Sequence, residues 1–467
     1  MEKKYTILLL FFLILCTNVF GTSVLTQSMI DSFPDSFVVK RDYVLNGQNI
    51  ILPKGYVLKF SGGTIDKGSI TGTKSKIIAS KDKNIFGLDI KIKGSWNVDF
   101  IYDQWFKFDT SRNFVSNTII ENILSLTDDN YKSHIYFGKG RIYYFNLPYN
   151  GRADLGEVIS YNIIGGKKKR NYNELYGKKF DNLKVFTIPS NTFITLDAEL
   201  CLNPTKQGVY FIFWEYGKKN VLIEGSGVIR GDSQTHIFAE TFNADSKYYG
   251  ELGNVINCFK CSNFIIKGIT VADAFGDCIV FQGSNLAEEK GQRWADGLKL
   301  ENVRILNARR NGVTIGARNV SIKNCYFKGC GSDVIKGTPP RSAIDFEPDD
   351  LDVYPDLYID SVVMQNCVFE NNYIDVNSFK VTKEDLGHPA VTIRNCSFHS
   401  PIHINTSSWM RFENCYIERF NTENYKASVF VGTNDFTFLN CTSEVYNETC
   451  KRRSIYKDVI SLRIAKF

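Results

Sequence analysis

Five short stretches share one alternation: GDCIVFQ (276–282), NGVTIGA (311–317), SAIDFEP (342–348), NYIDVNS (372–378) and SPIHINT (400–406). Each sets two apolar residues around a central position, as a half-buried strand requires. Taking Ile279/Phe281, Val313/Ile315, Ile344/Phe346, Ile374/Val376 and Ile402/Ile404 as inward leaves Val280, Thr314, Asp345, Asp375 and His403 facing outward. Gln282, Gly316, Glu347, Asn377 and Asn405 follow on the same side. If the strands stack in register, Asp345 and Asp375 lie about 5 Å apart at Cα, and Asp345 and Glu347 about 7 Å apart along one strand. Neighbouring carboxyls raise one another's pKa, so one can keep its proton as general acid while the other acts as base. Glycosidase carboxylate pairs stand about 5–9 Å apart. The column therefore reads as an acid–base site, with Asp345, Asp375 and Glu347 as catalytic candidates and His403 as a binding candidate. Small neighbours such as Gly312, Gly316 and Ala343 leave room for a ligand. The plainer alternative is a solvated wall.

Further candidates cluster at the corner entering these strands. Asp273 and Asp277 flank Gly276 and fit an ordinary turn, or an assisting acid (Asp277) and a ligand for a sugar hydroxyl (Asp273). Arg309, Arg310 and Arg341 fall at the equivalent corner of the next coils and could form a guanidinium edge for a carboxylate or sulfate. Insertions at 284–296, 349–356 and 380–388 leave the strands at one common corner and offer Trp294, Tyr354 and His388. Long loops on rigid scaffolds carry function, and Trp294 suits either sugar stacking or packing.

Such a column exists only if the chain coils. The strings NVSIKNCYF (319–327), SVVMQNCVF (361–369), AVTIRNCSF (390–398), WMRFENCYI (409–417) and DFTFLNCTS (435–443) repeat one unit of short strand, polar corner and short strand. Looser versions begin at Asn220, Asn263 and Leu298. Short strands without helical crossovers, repeated many times, describe a solenoid. Asn tolerates the left-handed corner conformation and can hydrogen-bond to its equivalents above and below. The Asn of each NC pair is thus expected to form a corner ladder, with the following Cys and Phe filling the coil. Most of the twelve cysteines then read as small buried apolar residues, not as disulfides or a zinc site.

The rest of the chain fits an exported β-rich protein. Lys3 and Lys4 precede a short apolar run, giving an expected signal peptide over 1–21, too short to span a membrane. Cys16 follows the bulky Leu15, which argues against lipoprotein anchoring. The expected product is a soluble periplasmic or extracellular protein without a membrane span. Residues 22–100 read as an N-terminal β-rich cap and 101–467 as the main coil. A helix over 116–126 would present Ile119, Ile120, Ile123 and Leu124 and close an open end, with Ser116 as N-cap. The net charge of +6 over 467 residues is small, and the run GGKKKRN (165–171) reads as a solvated loop. No basic stripe interleaved with aromatics is present, so nucleic acid is not an expected partner.

The chain resembles the right-handed parallel β-helix proteins of the pectate-lyase-like superfamily, with the nearest likeness to exported members from Bacteroidetes. The resemblance rests on LPKGYVLKFSGGTIDKGSITG (52–72), DAFGDCIVFQG (273–283), ARRNGVTIGARNVSIKNCYF (308–327) and GTPPRSAIDFEPD (337–349). It implies an all-β, single-stranded parallel β-helix with a small cap, and polysaccharide or oligosaccharide substrates. The chain departs from the polygalacturonase pattern: the double Asp reads Asp277-Cys278, the G-H-G place reads Arg310-Asn311-Gly312, and R-I-K is missing. A fold of this kind does not fix the reaction. Three functions stay open: a glycoside hydrolase, expected first and without a cofactor; a lyase on a uronate glycan, with calcium or Arg310/Arg341 neutralising the substrate; and a non-catalytic glycan-binding protein. A monomer is expected.

Overall fold

The computed structural model describes residues 23–108, 115–148, 161–164, 167–170, 184–207, 209–238, 252–283, 293–331, 339–348, 356–378, 388–405, 410–420, 429–431, 436–439 and 441–446. The chain divides into two compact units, Met1–Ser111 with Thr118–Ile135, and Arg112–Asn117 with Tyr136–Phe467.

The first unit is a small coil of parallel strands. Ser36–Val39 pairs with Val57–Phe60, which pairs with Gly68–Ile78. Gly68–Ile78 also joins Asn49–Lys54 and Ile90–Trp96. The helix Asn117–Ser125 buries Ile119, Ile120, Ile123 and Leu124, the side expected from their spacing. Its Asn122 clamps the edge strand: Oδ1 accepts from the Ile92 N–H and Nδ2 donates to the Ile90 carbonyl, both at 2.8 Å. A covered edge cannot pair with another chain.

The second unit is a parallel β-helix. Each coil gives one strand to each of three parallel sheets. In one coil these are Val313–Arg318, Ser321–Lys323 and Tyr326–Lys328; in the next, Ser342–Phe346, Val362–Gln365 and Val368–Glu370. A strand therefore pairs with the strand about three elements away in sequence, and the ladder spirals.

The NC asparagines sit at the tight corner between the second and third strands of a coil. Asn324, Asn366, Asn395 and Asn414 all have φ between 51° and 55°, in the left-handed region. Asn366 Nδ2 donates to Asn324 Oδ1 at 3.1 Å, Asn395 to Asn366 at 3.2 Å, and Asn414 to Asn395 at 3.3 Å. A second ladder runs along the corner before the NVSIK-type strands, from Asn263 to Asn220 to Asn191 at 2.9 Å per step. Only a residue that accepts positive φ and carries both donor and acceptor can do this at every coil.

Behind the corners, Cys325, Cys367, Cys396 and Cys415 are buried and free. Phe327, Phe369 and Phe398 stack beneath, with ring centroids 4.6 and 4.8 Å apart, the spacing of the coils. Phe369, central to this stack and fully buried, is expected to cost about 3–5 kcal/mol on truncation to alanine. Thermal unfolding of Phe369→Ala should show that loss; a change below about 1 kcal/mol would mean that the stack does not hold the coil.

The lysine run forms the second strand of an antiparallel pair, Tyr161–Ile164 with Lys167–Arg170, where a loop is expected from composition. Among the described residues no helix is long and apolar enough to cross a membrane. The signal segment lies outside the described residues.

Candidate functional site

The sheet containing Ile279–Gln282, Val313–Arg318, Ser342–Phe346, Ile374–Ser378 and Ile402–Asn405 carries the column expected from the sequence, with one change of register. Val280 pairs with Thr314 and Thr314 with Asp345. Asp345 then pairs with Asn377, not Asp375, and Asn377 with His403. The inward pair of the fourth strand is Val376/Ser378, which align with Ile344/Phe346. The alternation of NYIDVNS permits either choice, because a slip of two residues keeps every side chain on its own face. Apolarity favours Ile374/Val376; the pairing instead places a serine in the inward column.

The two-residue slip separates Asp375 from Asp345. Asp375 works at a corner: Oδ2 accepts from the Ser400 N–H at 2.7 Å and Oδ1 from Asn372 Nδ2 at 2.9 Å. Burial pushes its pKa up to about 6, against the pull of the Asn372 and Ser400 hydrogen bonds. An unfolded aspartate titrates near 3.8. The folded state thus holds an extra proton between those values, and stability falls as pH rises from about 4 to 6 and stays lowered above. Asp375→Asn removes this term. Its melting temperature relative to wild type should climb through that window and then level, for a gain on the order of 2–3 kcal/mol. A difference independent of pH would contradict it.

The carboxyls that do gather are Asp277, Asp345 and Glu347, around Arg310. Asp277 belongs to a polar corner ladder in which a side-chain oxygen accepts the backbone N–H of the next coil. Asn254 Oδ1 accepts from Asp277 (2.8 Å), Asp277 Oδ1 from Asn311 (3.1 Å), and Asn311 Oδ1 from Ser342 (3.0 Å). The second oxygen of Asp277 accepts from Arg310 Nη1 and from the Thr314 hydroxyl, each at 2.7 Å. Arg310 Nη2 reaches Glu347 Oε2 at 3.3 Å, and Nε donates to the Pro339 carbonyl at 3.3 Å. All three nitrogens of the guanidinium are thereby engaged, two of them on different carboxylates.

Asp345 lies behind Glu347 with no exposed surface. Asn377 Nδ2 donates to its Oδ1 at 2.8 Å and Asn311 Nδ2 to its Oδ2 at 3.1 Å. Burial, and then the charge of Glu347 with which it shares a hydrogen bond, push the Asp345 carboxyl well above the usual range. Burial also raises Asp277, against Arg310 and Thr314, which favour its ionised form. The Glu347 side chain is 39% exposed. The arrangement is a buried carboxyl beside a half-exposed one, with an arginine clamped between the exposed carboxyl and a second aspartate. Neighbouring carboxyls this close to one another do not stand on opposite sides of a glycosidic bond.

The other sequence candidates go elsewhere. Asp273 sits at a left-handed corner (φ 55°), paired with Arg230 and accepting from Asn307 Nδ2 at 3.1 Å. Arg309 lies over the Phe275 ring at 4.3 Å and donates to the Phe275 carbonyl. Arg341 donates to the Gly331 carbonyl and lies over Tyr373 at 3.9 Å. The three arginines therefore do not form one edge: the adjacent Arg309 and Arg310 diverge, and Arg341 sits in left-handed backbone (φ 64°) and turns to the Gly331 carbonyl. Trp294 packs 4.2 Å from the Arg318 guanidinium, whose charge also lies 3.9 Å from the Tyr358 ring. His388 Nε2 meets Asp360 Oδ1 at 2.9 Å. His403 is half-buried at its place in the column.

Gly316 does not leave open space. Gln282 reaches past it to donate to the Glu347 carbonyl at 2.9 Å, and a Cβ at Gly316 would meet that oxygen at 2.9 Å. The insertions do follow strands of this one sheet, but 284–292, 349–355 (with Tyr354) and 380–387 lie outside the described residues.

No protein-family model matches the chain. The uncharacterized protein YclG of Bacillus subtilis is 24% identical over 221 residues, 44% of this chain and 37% of its own length. The match thus spans little more than a third of that relative. Among solved structures, the tailspike protein of E. coli bacteriophage HK620, in complex with a pentasaccharide, aligns at TM-score 0.40 and 11% identity over 72% of this chain and 55% of its own. Endo-xylogalacturonan hydrolase from Aspergillus tubingensis aligns at 0.33 and 11% over 74% and 73%. The Streptococcus pneumoniae surface protein and adhesin PfbA aligns at 0.31 and 12% over 90% of both chains. Likenesses this distant assign no residue of this chain a role.

Proposed function

We propose that this protein is an exported glycan-cleaving enzyme of the glycoside hydrolase class, with Glu347 as the group that exchanges a proton with the glycosidic oxygen. Asp345 is the positioning residue behind it and stores the proton. The observation that carries this reading is the buried Asp345 carboxyl beside the half-exposed Glu347, which Arg310 holds against Asp277. A solvated wall would leave its carboxylates exposed and unbridged. In this reading His403, two coils along the column and about 10 Å from Asp345 at Cα, serves a neighbouring sugar or the attacking water.

The lyase alternative asks for a cation free to neutralise a uronate carboxylate. Arg310 already serves two carboxylates, and calcium at this place would have to displace its guanidinium. Incubating the purified protein with a panel of pectic, host and algal glycans tests the reading. Products heavier by one water support hydrolysis. Unsaturated products absorbing in the ultraviolet would establish a lyase, and retention of glycan without products would establish a binding protein.

A further inference from the structure

The charges around Glu347 bear on what kind of sugar it faces. Arg310 and Asp277 neutralise each other at 2.7 Å. Glu347 and the buried Asp345 stand beside this pair, so three carboxyls gather around one guanidinium and the open side is left with negative character. The other guanidinium groups at this corner are turned away: Arg309 onto Phe275 and Arg341 into the Gly331 carbonyl. The remaining outward positions of the column are Val280, Thr314, Asn377 and His403, with Gln282 alongside; Val280, Thr314 and Asn377 are buried and His403 and Gln282 are half-buried. Hydroxyl, amide and imidazole groups suit sugar hydroxyls and offer no fixed positive charge.

Resting on the hydrolase reading above, we infer that the sugar seated at Glu347 is uncharged, and that uronate and sulfated rings are disfavoured there. A ring carboxylate or sulfate would meet a like charge, with no cation among the described residues of the column to offset it. One like-charge contact of this kind costs about tenfold or more in affinity at low salt and less as salt rises.

The test uses acidic glycans and their carboxyl-reduced counterparts, which keep linkage and ring geometry but lose the charge, together with neutral polysaccharides. Binding and cleavage are measured at low and high salt with the full-length mature protein. The expected result is preference for the neutral or reduced form by about tenfold or more at low salt, narrowing as salt is added. Cleavage or binding of an acidic glycan as good as or better than that of its reduced counterpart overturns the inference and leaves the hydrolase reading standing. Failure to bind or cleave any polymer, neutral or acidic, overturns both.

Discussion

Glu347→Gln should lower turnover of the glycan substrate by about a hundredfold or more, the usual contribution of a general acid or base, while the protein melts close to the wild-type temperature. Glu347 is the exposed member of the carboxyl cluster, and a glutamine there keeps an acceptor for Arg310 Nη2. Removing it therefore removes a proton-transfer group and little packing. Asp345→Asn should cost less: asparagine can still accept from Asn377 or Asn311, but it cannot store a proton. Its signature is a changed pH dependence of turnover, which a purely structural substitution would not produce. Measured activity of Glu347→Gln within a few-fold of wild type would remove Glu347 from the chemistry.

Arg310→Leu should destabilise the fold by about 3–5 kcal/mol, because it strands the buried Asp277 carboxylate without its counter-charge. The lost interactions are one 2.7 Å ion pair, one 3.3 Å contact to Glu347 and the bond to the Pro339 carbonyl. Adding Asp277→Asn to that variant should recover part of the loss. Asparagine can still accept the Asn311 N–H, as Asn254 accepts that of Asp277 in the preceding coil, and it carries no charge to strand. A double-mutant cycle from denaturant unfolding measures the coupling. A coupling energy near zero, with Arg310→Leu as stable as wild type, would mean that the pair contributes nothing net and that Arg310 serves only the site.

The coil was legible because its signals recur. One NC pair is a turn, but four of them appear as a hydrogen-bonded asparagine ladder above free buried thiols and stacked phenylalanines. Face was equally legible: Val280, Thr314, Asp345, Asn377 and His403, read from alternation as sharing one face, are paired across consecutive coils. Register within a face was not. Asp375 and Asn377 share a side, and only the length of the chain around the Asn371–Asn372 corner decides which one meets Asp345.

Arginine direction was hidden for a related reason. Arg309 and Arg310 are adjacent in sequence, yet one lies on an aromatic ring and the other bridges two carboxylates. Spacing alone says nothing of which neighbours lie above and below. The polar ladder Asn254–Asp277–Asn311–Ser342 could have been found. Each member stands two residues before the first inward aliphatic of its strand: Ile256, Ile279, Val313 and Ile344. That position would have marked Asn311, a partner of both Asp345 and Thr314, as part of the site.

A crystal structure of Glu347→Gln soaked with the oligosaccharide that the glycan panel identifies tests the central claim most directly. The account predicts a glycosidic oxygen within hydrogen-bonding distance of the residue 347 side chain, with Asp345 behind it and Arg310 still clamped to Asp277. A sugar chain bound on another sheet, or one crossing this sheet with residue 347 turned away from every glycosidic oxygen, would contradict it.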